Sequence, residues 1–185
     1  MRVIETTLPG VLIVEPDVFE DSRGFFFESY SLQKYADHGI ADAFVQDNHS
    51  LSVRGTLRGL HYQAEPGQAK LVRVARGSVF DVAVDIRWGS PTFGKWVGVE
   101  LSADNKRQLY IPVGFAHGFC VTSEVAEFLY KCSSYYAPDL ERGIAWDDPA
   151  LAIAWPADAP ILSDRDRRHP RLAEAGRDYV YEAQR

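Results

Sequence analysis

The stretch Val79-Phe80-Asp81-Val82-Ala83-Val84-Asp85-Ile86 alternates with a period of two. On an extended chain, Phe80, Val82, Val84 and Ile86 share one face, and Asp81 and Asp85 lie on the other. That is a strand signature, and short apolar runs bounded by turn residues repeat it on both sides. Upstream, Leu71-Val72-Arg73-Val74 ends at the Arg76-Gly77 turn, Val11-Leu12-Ile13-Val14 is closed by Glu15-Pro16, and Phe25-Phe26-Phe27 follows Arg23-Gly24. Downstream, Trp96 to Leu101 and Leu109 to Ile111 precede Pro112-Val113-Gly114, and Gly118 to Thr122 and Glu127 to Cys132 add two more. Many short strands with regular turn signals describe an all-β sandwich or barrel. Helix signal is thin: Ser31 to His38 predicts one short helix, with Ser31 as N-cap and Gly39 as stop. The charged, proline-interrupted tail from about residue 164 predicts one or two helical turns. We therefore expect a single jelly-roll or barrel domain over residues 1–185, with a few short helices and a C-terminal extension from about 164.

A chain of 185 residues fits one domain. Apolar residues at 46% and aromatics at 12% supply a core and exclude a disordered chain. Cys120 and Cys132 are too few for a disulfide framework. No apolar run approaches the ~18 residues that would span a bilayer, and Met1-Arg2-Val3-Ile4-Glu5 meets an acid before any signal-peptide core. The expectation is a soluble cytoplasmic protein without a membrane partner. The formal charge of −6 argues against a nucleic-acid partner. Yet arginines outnumber lysines, fifteen to five. Arginine is the residue for bidentate grip on phosphate or carboxylate, so a local anion site is expected.

The densest polar stretch runs from Gln46 to Lys70 and contains Gln46-Asp47-Asn48-His49-Ser50, Leu57-Arg58-Gly59-Leu60-His61-Tyr62-Gln63 and Gln68-Ala69-Lys70. On a regular strand Arg58, Leu60 and Tyr62 face one way, while Leu57, Gly59, His61 and Gln63 face the other. On that pattern Gly59 makes room beside His61 for a ligand. His61 is the natural general base, because its unperturbed pKa lies near working pH. A lone histidine is more often a satisfied core or surface group; the neighbouring Arg, Gln and Lys weigh against that here. A divalent-metal site of the cupin type would pair His61 with a second His two residues on, but that position is Gln63. The distant His117 does not replace the missing histidine and acid, so no metal is expected. Asp21 to Glu28 and Leu162 to Asp166 are further charged clusters, and Tyr130 in isolation reads as half-buried packing.

Eight segments taken in order resemble the dTDP-4-dehydrorhamnose 3,5-epimerase family of dTDP-L-rhamnose biosynthesis. They are Asp21 to Glu28, Val45 to Ser50, Leu57 to Gln63, Gln68 to Arg73, Phe80 to Arg87 with Ser90-Pro91-Thr92-Phe93-Gly94, Pro112 to Phe119, Trp146-Asp147-Asp148-Pro149, and Leu162 to Asp166. The resemblance implies a cupin-like jelly roll without a metal or cofactor, normally a homodimer. It implies epimerisation of a dTDP-4-keto-6-deoxy-sugar at C3 and C5, the carbons flanking the C4 ketone. By resemblance His61 is the base, Asp166 its partner, Lys70 the cation near the C4 oxygen, and Tyr130 the proton donor on the opposite face. Arg23, Arg58 and Arg165 match diphosphate contacts, Gln46 and Asn48 match the nucleotide and sugar pocket, Tyr136 matches an aromatic near the thymine, and His117 matches a pocket histidine. The segment from Arg23 to Glu28 is expected to reach the neighbouring subunit's site. Arg165 stands where relatives often carry lysine. Relatives of the same fold that epimerise only C3 or only C5 are the alternative, followed by a metal-dependent cupin enzyme and a non-catalytic sugar-nucleotide binding module.

Overall fold

A computed structural model of the chain describes residues 1–182. Thirteen strands and one short helix follow in order. The first group is β1 (Arg2–Glu5), β2 (Leu12–Glu15), β3 (Phe19–Asp21), β4 (Gly24–Phe26) and α1 (Leu32–Ala36). Then come β5 (Gln46–Val53), β6 (Leu57–Gln63), β7 (Lys70–Arg76), β8 (Ser78–Asp85) and β9 (Trp96–Ser102). The last are β10 (Gln108–Ile111), β11 (Phe115–Val121), β12 (Val125–Cys132) and β13 (Glu141–Gly143). Two antiparallel sheets, ordered β1-β2-β10-β7-β12-β5 and β13-β6-β11-β8-β9, face each other as a jelly roll, and β3-β4 is a separate hairpin.

The core between the sheets is built from alternate residues of both, including Val72, Val74, Val79, Ala83, Leu101, Leu109, Phe119 and Phe128. Phe119 and Phe128 stack across the gap with ring centroids 4.0 Å apart. The apolar face of β8 points away from this core. Val82, Val84 and Ile86 pack outward with Leu60, Tyr62 and Ala116 under the segment that carries Ile144, Leu151, Trp155 and Tyr179. The alternation of β8 thus serves two apolar layers, and its acids are buried as well: Asp81 and Asp85 are both inaccessible to solvent. Asp85 accepts hydrogen bonds from Arg87, Ser90 and Thr92, which gives the Ser90-Pro91-Thr92 motif a structural task. Asp148 likewise accepts from the backbone N–H groups of Ala150 and Leu172 and pins the C-terminal segment down. The outer face of the six-stranded sheet is covered by α1 and its flanks through Tyr35, Ile40 and Phe44.

Two expectations change, and one strand is added. The helix is shorter than Ser31 to His38, and the Ser31 side chain makes no capping bond, although Gly39 does take the left-handed conformation of a stop (φ +87°). The strand β5 was not legible as a strand. Its inward residues Gln46, Asn48 and Ser50 are polar because they face a cavity, while Leu51 and Val53 point outward at 56% and 51% exposure. The second change is in β6. His61 pairs with His117 and Arg58 with Phe119, so three steps on β6 match two on β11. This bulge reverses the side-chain phase and brings Arg58 and His61 to one face instead of opposite faces. Gly59 permits it at φ +133°, and a Cβ there would stand 2.5 Å from the Gly118 Cα. The missing side chain of Gly59 accommodates the neighbouring strand, not a ligand.

Candidate active site

Strand register assembles two facing walls. On the six-stranded sheet Lys70 is paired with Cys132 and Cys132 with Gln46; one layer deeper Val72 is paired with Tyr130 and Tyr130 with Asn48. Residues two apart on a strand share a face, so Gln46, Asn48, Lys70 and Tyr130 line the same cavity, of about 190 Å³. The five-stranded sheet supplies Arg58, His61 and His117 from the opposite wall. Tyr136 and Arg165, both about half exposed, line the cavity at its mouth.

Behind His61 lies Asp166, in a turn of 3-10 helix (Asp166–Arg168), with its side chain 4% exposed. His61 Nε2 donates to Asp166 Oδ1 at 2.6 Å. A donating Nε2 leaves the lone pair on Nδ1, so this contact selects the basic nitrogen. Burial lowers the His61 pKa, an effect that outweighs the opposing hydrogen bond and charge of Asp166. Burial alone would raise the Asp166 carboxyl, but the two histidines beside it, His169 and His61, hold it well below the usual carboxylate range. The pair at rest is therefore neutral imidazole and carboxylate. Burial also lowers the Lys70 ammonium from its ordinary value and raises the Tyr130 phenol. The tyrosine thus keeps its proton.

Deeper in the same wall, His117 Nε2 donates to both oxygens of Asp81 at 3.0 Å. The weighed metal pair of His61 and His117 is therefore split between two separate carboxylates. The cluster whose ligating atoms do approach within 4.8 Å of one another, among the described residues, is His61, Asp166 and His169. Its shortest contact is the 2.6 Å hydrogen bond itself.

Arg23 and Glu28 are not brought to this cavity. Arg23 is 88% exposed on the β3–β4 hairpin and pairs with Asp21 at 2.5 Å; Glu28 pairs with Lys34 at 2.9 Å. Three residues at the site were missed in the sequence. Asp81 was seen only as half of an alternation. Glu141 sits on β13 opposite Gln63, where it accepts from Arg165 (2.6 Å) and from the Tyr136 hydroxyl (2.7 Å). It ties two cavity side chains together, and no local pattern marks it. His169 lies three residues beyond Asp166, a spacing that on a helical turn brings the two side chains together.

A family model for dTDP-4-dehydrorhamnose 3,5-epimerase matches residues 5–174, which include every cavity residue and the His61–Asp166 pair. The chain belongs to the dTDP-4-dehydrorhamnose 3,5-epimerase family. Among members of that family, it is 58% identical over 177 residues to the 3,5-epimerase of Pseudomonas aeruginosa, covering 95% of this chain and 98% of that protein. It is 59% identical over 178 residues to the Salmonella typhimurium enzyme, covering 95% and 97%. The crystal structure of the Legionella pneumophila dTDP-6-deoxy-D-glucose-3,5-epimerase in complex with dTDP-4-keto-L-rhamnose superposes with a TM-score of 0.95 at 51% identity, over 98% of this chain and 99% of that one.

Proposed function

We propose that this protein is an isomerase that inverts C3 and C5 of dTDP-4-dehydro-6-deoxy-D-glucose, giving dTDP-4-dehydro-L-rhamnose. The observation that carries the reading is the disposition of groups across the cavity: His61 with Asp166 on one wall, Lys70 and Tyr130 on the other. Epimerisation removes a proton from one face of a carbon and returns one to the other. A single base would only restore the starting centre, so two groups on opposite sides are needed. Neutral His61 removes the proton, and Asp166 stabilises the imidazolium as it forms, as in other His–Asp pairs. The negative charge moves to the C4 oxygen, where the Lys70 ammonium faces it; one such preorganised donor is typically worth about 3–4 kcal/mol. Protonated Tyr130 then delivers a proton from the far wall. The reaction moves protons with no net redox change, and in this reading Lys70 supplies the positive charge that the enolate oxygen requires, in place of a metal or cofactor.

Arg58 and Arg165 at the cavity, with Tyr136 as a stacking surface, suit the diphosphate and the thymine. Gln46, Asn48 and His117 contact the sugar end. Arg23 and Glu28 act from the hairpin of a second copy in a homodimer. Support for that pairing is the edge strand β5, which leaves Leu51 and Val53 more than half exposed, a surface that natural sheets usually cover. Residues 1–185 act as one domain. We place the protein in the cytoplasm, in keeping with two free, buried cysteines and with no helix among the described residues long and apolar enough to cross a membrane.

The test is solvent-deuterium uptake into the 4-keto sugar nucleotide, with the product trapped by reduction. Label at both C3 and C5 with inversion at both is expected. Uptake at C3 alone or C5 alone would make the protein a single-site epimerase, and uptake at neither would remove the reading. Tyr130→Phe should spare exchange more than inversion.

A further inference from the structure

The fifth histidine of the chain, His169, has no part in the reaction as described, yet the fold builds a seat for it. On β13, Gly143 is paired directly with His61. A Cβ at Gly143 would collide with the His169 ring, so the ring occupies the space that this glycine leaves empty. There it is 12% exposed and meets the His61 ring edge to face, with centroids 5.5 Å apart at 79°. Its Nε2 is buried, has no hydrogen-bond partner among the described residues, and stands 3.4 Å from Asp166 Oδ1, the same oxygen that His61 holds at 2.6 Å. A buried polar atom without a partner is costly, and the Asp166 carboxylate oxygen at 3.4 Å is an acceptor within easy reach of a small shift.

We propose that His169 is a positioning residue for the His61–Asp166 pair, its Nε2–H steadying the carboxylate from the side while its ring fixes the plane of the His61 ring. Contacts of this kind are often long in an empty site and tighten when substrate and charge arrive. As His61 takes up a proton, the carboxylate is drawn toward it. A second donor on the same oxygen keeps Asp166 from swinging out of line and shares its charge. The other charged groups facing the pair are Arg165, whose Nε lies 3.9 Å from Asp166 Oδ1, and Lys70 across the cavity, with Glu141 neutralising Arg165 at 2.6 Å. None of them fills the place of His169.

This inference rests on the proposed reaction. Comparing His169→Phe with His169→Gln tests it, since phenylalanine keeps a ring in the seat without a donor and glutamine keeps a donor without a ring. In the phenylalanine variant kcat should fall about ten- to hundredfold, the usual worth of a hydrogen bond to a charged group, with KM within about twofold. The acid limb of its kcat/KM profile should move to higher pH, because Asp166 then acts on His61 alone. The glutamine variant should recover most of kcat and the wild-type limb. His169→Met serves as a second donor-free variant should phenylalanine not fold. Unchanged kcat and limb in the donor-free variants would overturn the proposal, and so would glutamine being as slow as they are with no shift of the limb. Absence of exchange in the wild-type protein would instead defeat the reaction on which it rests.

Discussion

At His61 two opposing effects meet, burial that disfavours the imidazolium and a carboxylate that favours it, and burial wins. The folded pKa therefore lies below the ordinary imidazole value of 6.5, and the base is ready at neutral pH. Activity needs the neutral ring, so the acid limb of kcat/KM should have its midpoint below pH 6.5; a midpoint above 6.5 would contradict this assignment of the base. On the alkaline side two groups must keep their protons, the Lys70 ammonium and the Tyr130 phenol. Burial depresses Lys70 below 10.5 while it lifts Tyr130 above 10.0. The part of the alkaline limb that belongs to Lys70 should move upward in Lys70→Arg, because a guanidinium keeps its charge; a limb unchanged in that variant would remove Lys70 from it. Asp166 works in the same sense for stability. Its folded pKa lies below the unfolded value, so its contribution is present at neutral pH and is lost as pH falls through the carboxylate range.

Among the elements, β6 decides the site. A regular strand would turn Arg58 away from His61, and the bulge at Gly59 turns them together. Gly59→Ala should therefore cost stability twice, through the φ of +133° and through the Gly118 backbone 2.5 Å from the new Cβ. Gly89→Ala provides the comparison, since Gly89 also has positive φ (+84°) but nothing within 4 Å. The strain common to both is about 1–3 kcal/mol. Thermal unfolding should show Gly59→Ala as the more destabilised, with activity lost as well, whereas Gly89→Ala keeps its activity. Equal losses in the two variants would mean that the close approach of β6 and β11 contributes little. The strand β5 illustrates a second point at this scale. It carries polar residues inward, unlike an ordinary half-buried strand, because its inner face lines a cavity, while its outer face runs from Asp47 and His49 to the apolar Leu51 and Val53.

At the scale of the whole molecule, the β3–β4 hairpin lies away from the cavity of its own chain and lines none of it. A homodimer in which each hairpin completes the other site makes a quantitative prediction. His61→Ala and Arg23→Ala chains, each inactive or nearly so alone, should recover activity when refolded together. Random pairing forms mixed dimers in half of all cases, each with one intact site, so about a quarter of the wild-type rate is expected in a twofold-symmetric assembly. No recovery on mixing would place Arg23 outside the site. The low formal charge fits this view of the molecule. The net −6 belongs to the whole surface, while Arg58, Lys70 and Arg165 meet at one cavity, where Glu141 pairs with Arg165.

Local pattern was enough for the class of the fold and for the chemistry of the residues. The period of two in Val79 to Ile86, the turn residues between short runs and the spacing of the polar segments all act through near neighbours, and they survive in β7, β8, β9, β11 and β12. The identity of His61, Lys70, Tyr130 and Asp166 as a group was legible only through the resemblance of whole motifs, since each alone also fits a bland surface or core role. Tertiary structure decided what depends on long-range register. It turned Arg58 to the side of His61, buried Asp81 against His117 and set Glu141 between Tyr136 and Arg165. It also seated His169 in the space left by Gly143. The physical reason is common to all four: each depends on which distant segment lies opposite, and the pairing of segments far apart in sequence is a property of the folded jelly roll.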